Sequence, residues 1–180
     1  MTATAAPRTL LSARSPEHAE ILREAVTMVL YVSVVEIAEL AALPEAHLSN
    51  GHVTGPVGAQ LLAIIWGTAV GLAIAHWFAF RLAANAFRGD RVTGLDKQVG
   101  LAQIGAAMFV AAVSSLPVLL LDDVRAQEFT GVVPAVLIGI VGYLIARETG
   151  KSRFASALYG GTALAVGLLV ATVKGALAAH

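Results

Sequence analysis

Five long apolar stretches alternate with short polar ones along this chain, and their lengths carry the first inference. A hydrocarbon core of about 30 Å needs about 20 residues of helix. The apolar stretches reach or approach that length at residues 24–43, 57–81, 98–121, 129–147 and 153–177. Each therefore reads as a transmembrane helix. The first helix is expected to start before the lipid, at Ser15-Pro16-Glu17, because Ser caps a helix N-terminus, Pro suits its first turn and an acid favours the positive end of the helix dipole. From there a single helix can run through Leu43.

Between the spans the punctuation is polar and rich in turn formers. Pro44-Glu45 and the stretch from Ser49 to Pro56 separate the first two spans, and Arg88 to Lys97 forms the longest inner loop. Asp122 to Glu128 reads as a short acidic outer turn, and Glu148 to Ser152 as a tight inner one. None of these connections is long enough to fold alone, so residues 15–180 are expected to form a single transmembrane helical domain. Residues 1–14, small and polar with no long apolar core, read as a disordered cytoplasmic tail and not as a cleaved signal. Gly131, Pro134, Gly139 and Gly142 make the fourth span the one expected to kink or tilt.

Composition supports a membrane protein. Hydrophobic residues make up 57% of the 180-residue chain and charged residues 13%, too few charges to cover a soluble surface. The expected fold class is therefore all-α, a polytopic membrane helix bundle of about five transmembrane helices. Cysteine is absent, which removes disulfides, thiolate metal sites and cysteine nucleophiles together. The formal net charge of +0 gives no reason to expect nucleic acid as a partner.

That zero hides a segregation. Arg8, Arg14, Arg23, Arg81, Arg88, Arg91, Lys97, Arg147, Lys151 and Arg153 all fall on one side of the five spans, leaving only Arg125 and Lys174 for the other. Positively charged loops stay cytoplasmic during insertion, so the N-terminus is expected inside and the C-terminus outside. The opposite face gathers Glu36, Glu39, Glu45, Asp122, Asp123 and Glu128. An Ala-rich, Lys-poor chain without a clear presequence points to a bacterial plasma membrane, crossed several times.

Small residues at four-residue spacing mark where helix backbones can approach closely in lipid. Gly67, Gly71 and Ala75 form one such ladder in the second span. Ala163, Gly167, Ala171 and Gly175 form another in the fifth. The pattern fits helix packing within one chain, or between copies in a homo-oligomer or a complex with a membrane partner subunit.

Chemistry in a bilayer is written in polar residues that lipid should exclude. Glu36 and Glu39, three residues apart on one face of the first span, are the sharpest case, with Ser33 one turn before Glu36. A carboxylate in the apolar core must be protonated, paired or in contact with water. His76 lies in the second span near its inner end, beside Trp77 and above Arg81, at a height too far from Glu36 for direct contact. Gln103 and Ser114 in the third span are eleven residues apart and share one face, which fits hydrogen bonds to neighbouring helices better than a polar path. Glu36, Glu39, His76 and Gln103 are the candidate ion- or proton-binding residues.

Glu45, His47 and His52 offer imidazole and carboxylate for a metal, but their spacing matches no ligand motif, and a solvated loop is the plainer reading. No HExxH, GxSxG or phosphate-binding GxxxxGK[ST] pattern is present, so no enzyme activity and no cofactor are expected. Two readings follow. One is a small cation or proton transporter or channel subunit using intramembrane carboxylates. The other is a non-transporting scaffold or accessory subunit assembled through the small-residue ladders.

Overall fold

A computed structural model describes residues 15–44, 46–49, 52–88 and 93–178; the side chains at 47, 49, 52, 84, 85, 87, 88, 171 and 174–178 are outside that description, as are residues 1–14 and Glu45. The expected tail at 1–14 therefore lies outside the described residues. What is described is an all-α bundle with one small hairpin.

Helix α1 spans Pro16–Leu40 and begins as its sequence dictates. The Ser15 hydroxyl accepts from the His18 N–H, Pro16 occupies the first turn, and Glu17 follows it. The helix stops at Leu40, three residues before the expected Leu43. Two short antiparallel strands come next, β1 (His47–Ser49) and β2 (His52–Thr54), with Leu48 opposite Val53 and Ser49 opposite His52.

Helix α2 covers Ala59–Arg88, running seven residues beyond the expected inner boundary at Arg81. Helix α3 covers Gly94–Ser114 and starts earlier than expected, because Thr93 and Asp96 form a reciprocal capping box that lengthens it into the inner loop. It breaks at Ser115 and continues as α4, Leu116–Leu120. Pro117 accounts for the break, since it has no N–H to donate and its ring collides with the carbonyl four residues earlier. At the break the Ala111 carbonyl accepts both the Ser115 N–H at 2.9 Å and the Ser115 hydroxyl at 2.7 Å.

The stretch expected as an acidic outer turn is helical instead. Asp122 caps α5 (Asp123–Thr130), accepting from the Arg125 N–H at 3.2 Å, with Asp123 in the first turn. An acid-rich sequence at a helix N-terminus is a start signal, and that reading wins here. Helix α6 (Val132–Glu148) follows after an offset at Gly131, with Pro134 in its first turn, where a missing N–H does no harm. Gly150, at φ 79°, ends it: the Gly150 N–H reaches Arg147 O at 3.0 Å and the Lys151 N–H reaches Ala146 O at 3.2 Å, the paired bonds of a left-handed helix stop. Helix α7 then runs Arg153–Ala178.

Four segments are long and apolar enough to cross a membrane: Ala59–Ala83, Gly94–Leu120, Asp123–Glu148 and Arg153–Val170. Helix α1 is not among them, because Arg23, Glu24, Glu36 and Glu39 dilute its apolar run. Its position compensates for that composition. Helix α1 packs against α2, α3, α6 and α7, so the least apolar long helix is the central one.

Its two sides meet two cores. Met28 and Val32 join Leu61, Ile65, Ala69 and Ala73 of α2 and Ala106, Ala107, Val110 and Ala111 of α3 in one buried cluster. Ile37 meets Ala135 and Ile138 of α6, with Leu30, Val34, Ala163 and Leu164 packed around them. Helices α6 and α7 approach most closely of all. A methyl group at Gly142 would lie 2.9 Å from Ala163 Cβ, and one at Gly160 would lie 3.1 Å from the Tyr143 amide nitrogen. Such close approach replaces the hydrophobic driving force that lipid cannot supply between helices.

Candidate functional site

The inward stripe of α3 recurs at three- and four-residue steps: Val99, Gly100, Gln103, Ala106, Ala107, Val110, Ala111 and Ser114 are all buried. Small side chains dominate it, so α1 comes close enough for hydrogen bonds at the two polar positions. Both are used. The Gln103 amide nitrogen donates to Glu24 at 3.0 Å, and the Ser114 hydroxyl donates to Glu36 at 2.7 Å. The two helices run parallel, and these bonds, about 18 Å apart along α1, fix their register at both ends.

Glu36 is the deepest ionisable side chain described, at 1% exposure. Its Oε2 has the Ser114 hydroxyl, while its Oε1 and the neighbouring buried Ser33 hydroxyl have no hydrogen-bond partner among the described residues. No cation among the described residues pairs with it either, since the ion pairs there involve Glu20, Glu24 and Asp122. One hydroxyl donor cannot balance a full negative charge in a dry interior. A carboxyl group so placed needs a proton or a bound cation to cancel it.

Glu39 is half-buried one turn further out and accepts from the Thr68 hydroxyl of α2. Beside it the Trp66 indole donates to Ser115 at 3.0 Å. This polar layer thus draws on α1, α2 and the end of α3: Ser33, Glu36 and Glu39 with Thr68, Ser114, Ser115 and Trp66.

His76 is not in that layer. It meets Gln103, whose amide nitrogen lies 3.2 Å from His76 Nε2, so Glu24, Gln103 and His76 form a separate cluster nearer the N-terminal end of α1. Arg23 bridges Glu20 at 2.7 Å and Glu24 at 3.0 Å, extending the cluster to the surface. The Arg81 guanidinium rests 5.6 Å from the Trp77 ring centroid, the cation–π contact of an interfacial pair. Between the two clusters lies the apolar layer of Met28, Val32, Ala69, Ala73, Ala107 and Val110. No described hydrogen bond crosses it.

The two small-residue ladders differ in placement. Gly167 is buried, and a methyl group there would lie 2.9 Å from Ile138 Cδ1. Gly67, Gly71 and Ala75 face outward, and methyl groups at Gly67 or Gly71 would meet nothing within 4 Å. Helix α2 packs inside the chain through Leu61, Ile65, Ala69 and Ala73 instead. The side chains of Ala171 and Gly175 lie outside the described residues, and so do Glu45 and the side chains of His47 and His52. Among the described residues no three His, Asp or Glu side chains converge on one point.

Sequence reasoning found Glu36, Ser114, Gln103 and His76 but missed the partners Glu24 and Thr68. Glu24 looked like an interfacial surface acid, and a mid-span Thr usually satisfies itself on its own helix, so neither carried a signal. Comparison with protein-family models, curated proteins and solved structures gives no match for this chain.

Proposed function

We propose that this protein is a small membrane transport protein, a cation or proton transporter or channel subunit in which Glu36 is the binding group and Glu39 assists it. The observation that carries the reading is the Glu36 carboxyl, buried with one oxygen on Ser114 and the other without a hydrogen-bond partner among the described residues. A group that must exchange charge with a proton or small cation to sit where it does is suited to bind and release one. The apolar layer below it argues against a continuously open path. Exposure of Glu36 to each side in turn, through small movements of α1 against the small-residue face of α3, fits this arrangement better. In this reading α1 is a fifth membrane-crossing helix lined by the other four, with the N-terminus cytoplasmic and the C-terminus outside a bacterial plasma membrane.

The test is flux in reconstituted vesicles, followed with an internal pH dye and with cation tracers. Glu36→Gln should abolish it while the purified protein keeps its helical content and assembly state. A wild-type protein that moves neither protons nor cations, under a gradient or a membrane potential of either sign, would rule the transport reading out.

A second reading has an observation of its own. Gly67, Gly71 and Ala75 form an outward-facing ladder with open space over both glycines, the surface that a non-transporting scaffold or accessory subunit would use to meet a second copy or a membrane partner. On that reading Gly67→Leu dissociates the assembly, and Glu36→Gln leaves every measured flux unchanged.

A further inference from the structure

At the inner end of α7 a groove of about 490 Å³ is lined by Lys151, Ala155, Leu158, Tyr159, Thr162 and Ala163. Its chemistry is graded. The Lys151 ammonium stands at the mouth, 5.5 Å from the Tyr159 ring centroid, and forms no ion pair among the described residues. Arg147 and Arg153 flank it; Glu148, half-buried, is the nearby acid. The Arg147 guanidinium donates to the Lys151 carbonyl at 2.7 Å, which folds a second positive charge over the turn. The first turn of α7, capped by Ser152 through the Ala155 N–H at 3.2 Å, adds the positive end of a 26-residue helix.

Below this positive rim the walls become apolar. Leu158 is 65% exposed, and Thr162 turns its hydroxyl back to the Leu158 carbonyl at 2.9 Å, so it presents only carbon outward. From Ala155 to Ala163 the groove runs about 12 Å along the helix. One leaflet's hydrocarbon is about 15 Å deep. A cationic mouth above an apolar groove of that length matches an anionic phospholipid in size and charge, since basic side chains at a membrane surface attract anionic headgroups.

We propose that this groove holds one anionic phospholipid, its phosphate against Lys151 and the α7 N-terminus and one acyl chain along Leu158, Thr162 and Ala163. The site is independent of the transport reading, because it rests on Lys151 and one face of α7 and uses neither Glu36 nor Glu39. A zwitterionic lipid presents the same phosphate with a cation attached, which Lys151 and Arg147 repel. The preference for the anionic headgroup is about fivefold per basic charge engaged, the equivalent of about 1 kcal/mol each.

The experiment is native mass spectrometry of the full chain in detergent, offered equal amounts of phosphatidylglycerol and phosphatidylcholine. One phosphatidylglycerol should be retained at least about fivefold over phosphatidylcholine. Lys151→Gln should lower that ratio about fivefold, Lys151→Arg should keep it, and Thr162→Trp, filling the groove from an exposed position, should lose the lipid with helical content unchanged. Equal retention of the two lipids, an unaltered ratio in Lys151→Gln, or displacement of the lipid by millimolar inorganic phosphate would each overturn the proposal, the last by showing a site for the free anion.

Discussion

Gly142→Ala should loosen the bundle, and the amount can be worked from the contact between α6 and α7. The new methyl would lie 2.9 Å from Ala163 Cβ, 3.2 Å from Gly160 Cα and 3.6 Å from the Tyr159 carbonyl oxygen. Carbon atoms in contact sit at about 3.5–4.0 Å, so the helices must part by roughly 0.5–1 Å. Two of these three obstacles are backbone atoms, which cannot swing aside as a flexible side chain would. Overpacking of this kind costs about 1–3 kcal/mol. Gly67→Ala is the matched control, with open space over the new methyl and an expected change within about 0.5 kcal/mol. Equilibrium unfolding of the detergent-solubilised protein, followed by circular dichroism across a denaturant titration, measures both. Equal stability of Gly142→Ala and wild type would refute the close α6–α7 approach. A loss in Gly67→Ala as large as that in Gly142→Ala would show that the outer face of α2 is covered, as the assembly reading requires.

Ser114→Ala should remove the one donor to Glu36 among the described residues and destabilise the protein by about 1–3 kcal/mol without loss of helix, measured by the same titration. Flux through Ser114→Ala should fall but not vanish, because the carboxyl remains. A reporter active only outside the cytoplasm, fused after His180, should be active; stable expression without activity would mean an even number of crossings and a cytoplasmic C-terminus.

Much of the fold was legible because lipid demands long apolar helices with obvious breaks. Ser15-Pro16 and Gly150 act where their chemistry says they should, through local bonds that neighbours do not alter. The misjudged boundaries have local causes as well. The capping box at Thr93 and Asp96 extends α3, and Asp122 turns an apparent loop into the start of α5. The break at Pro117 was equally readable, since a proline inside an apolar run removes a hydrogen bond wherever the helix sits.

The site was legible only in part, and the reason is geometric. Burial of a carboxylate can be read from its apolar neighbours in sequence, but its partner depends on helix register. Glu36 meets Ser114 and Gln103 meets Glu24 because α1 and α3 run parallel at one height, and α2 packed beside them brings Thr68 to Glu39 and His76 to Gln103. That height is set by packing between residues some 80 positions apart, such as Glu24 and Gln103. The central place of α1 is likewise a property of the assembled bundle. Its two carboxylates bar it from the lipid face, so they select the one position where the other helices shield them.

The account turns on Glu36 holding an exchangeable proton or cation. Solid-state NMR of the protein in bilayers, with glutamate labelled at its side-chain carboxyl carbon, observes that group directly. A resonance absent from Glu36→Gln should be resolved from the surface glutamates in wild type, and it should move when pH is changed or when the transported cation is added. A Glu36 resonance that stays fixed across pH and across every cation tried would contradict the account, leaving a carboxyl that only joins α1 to α3.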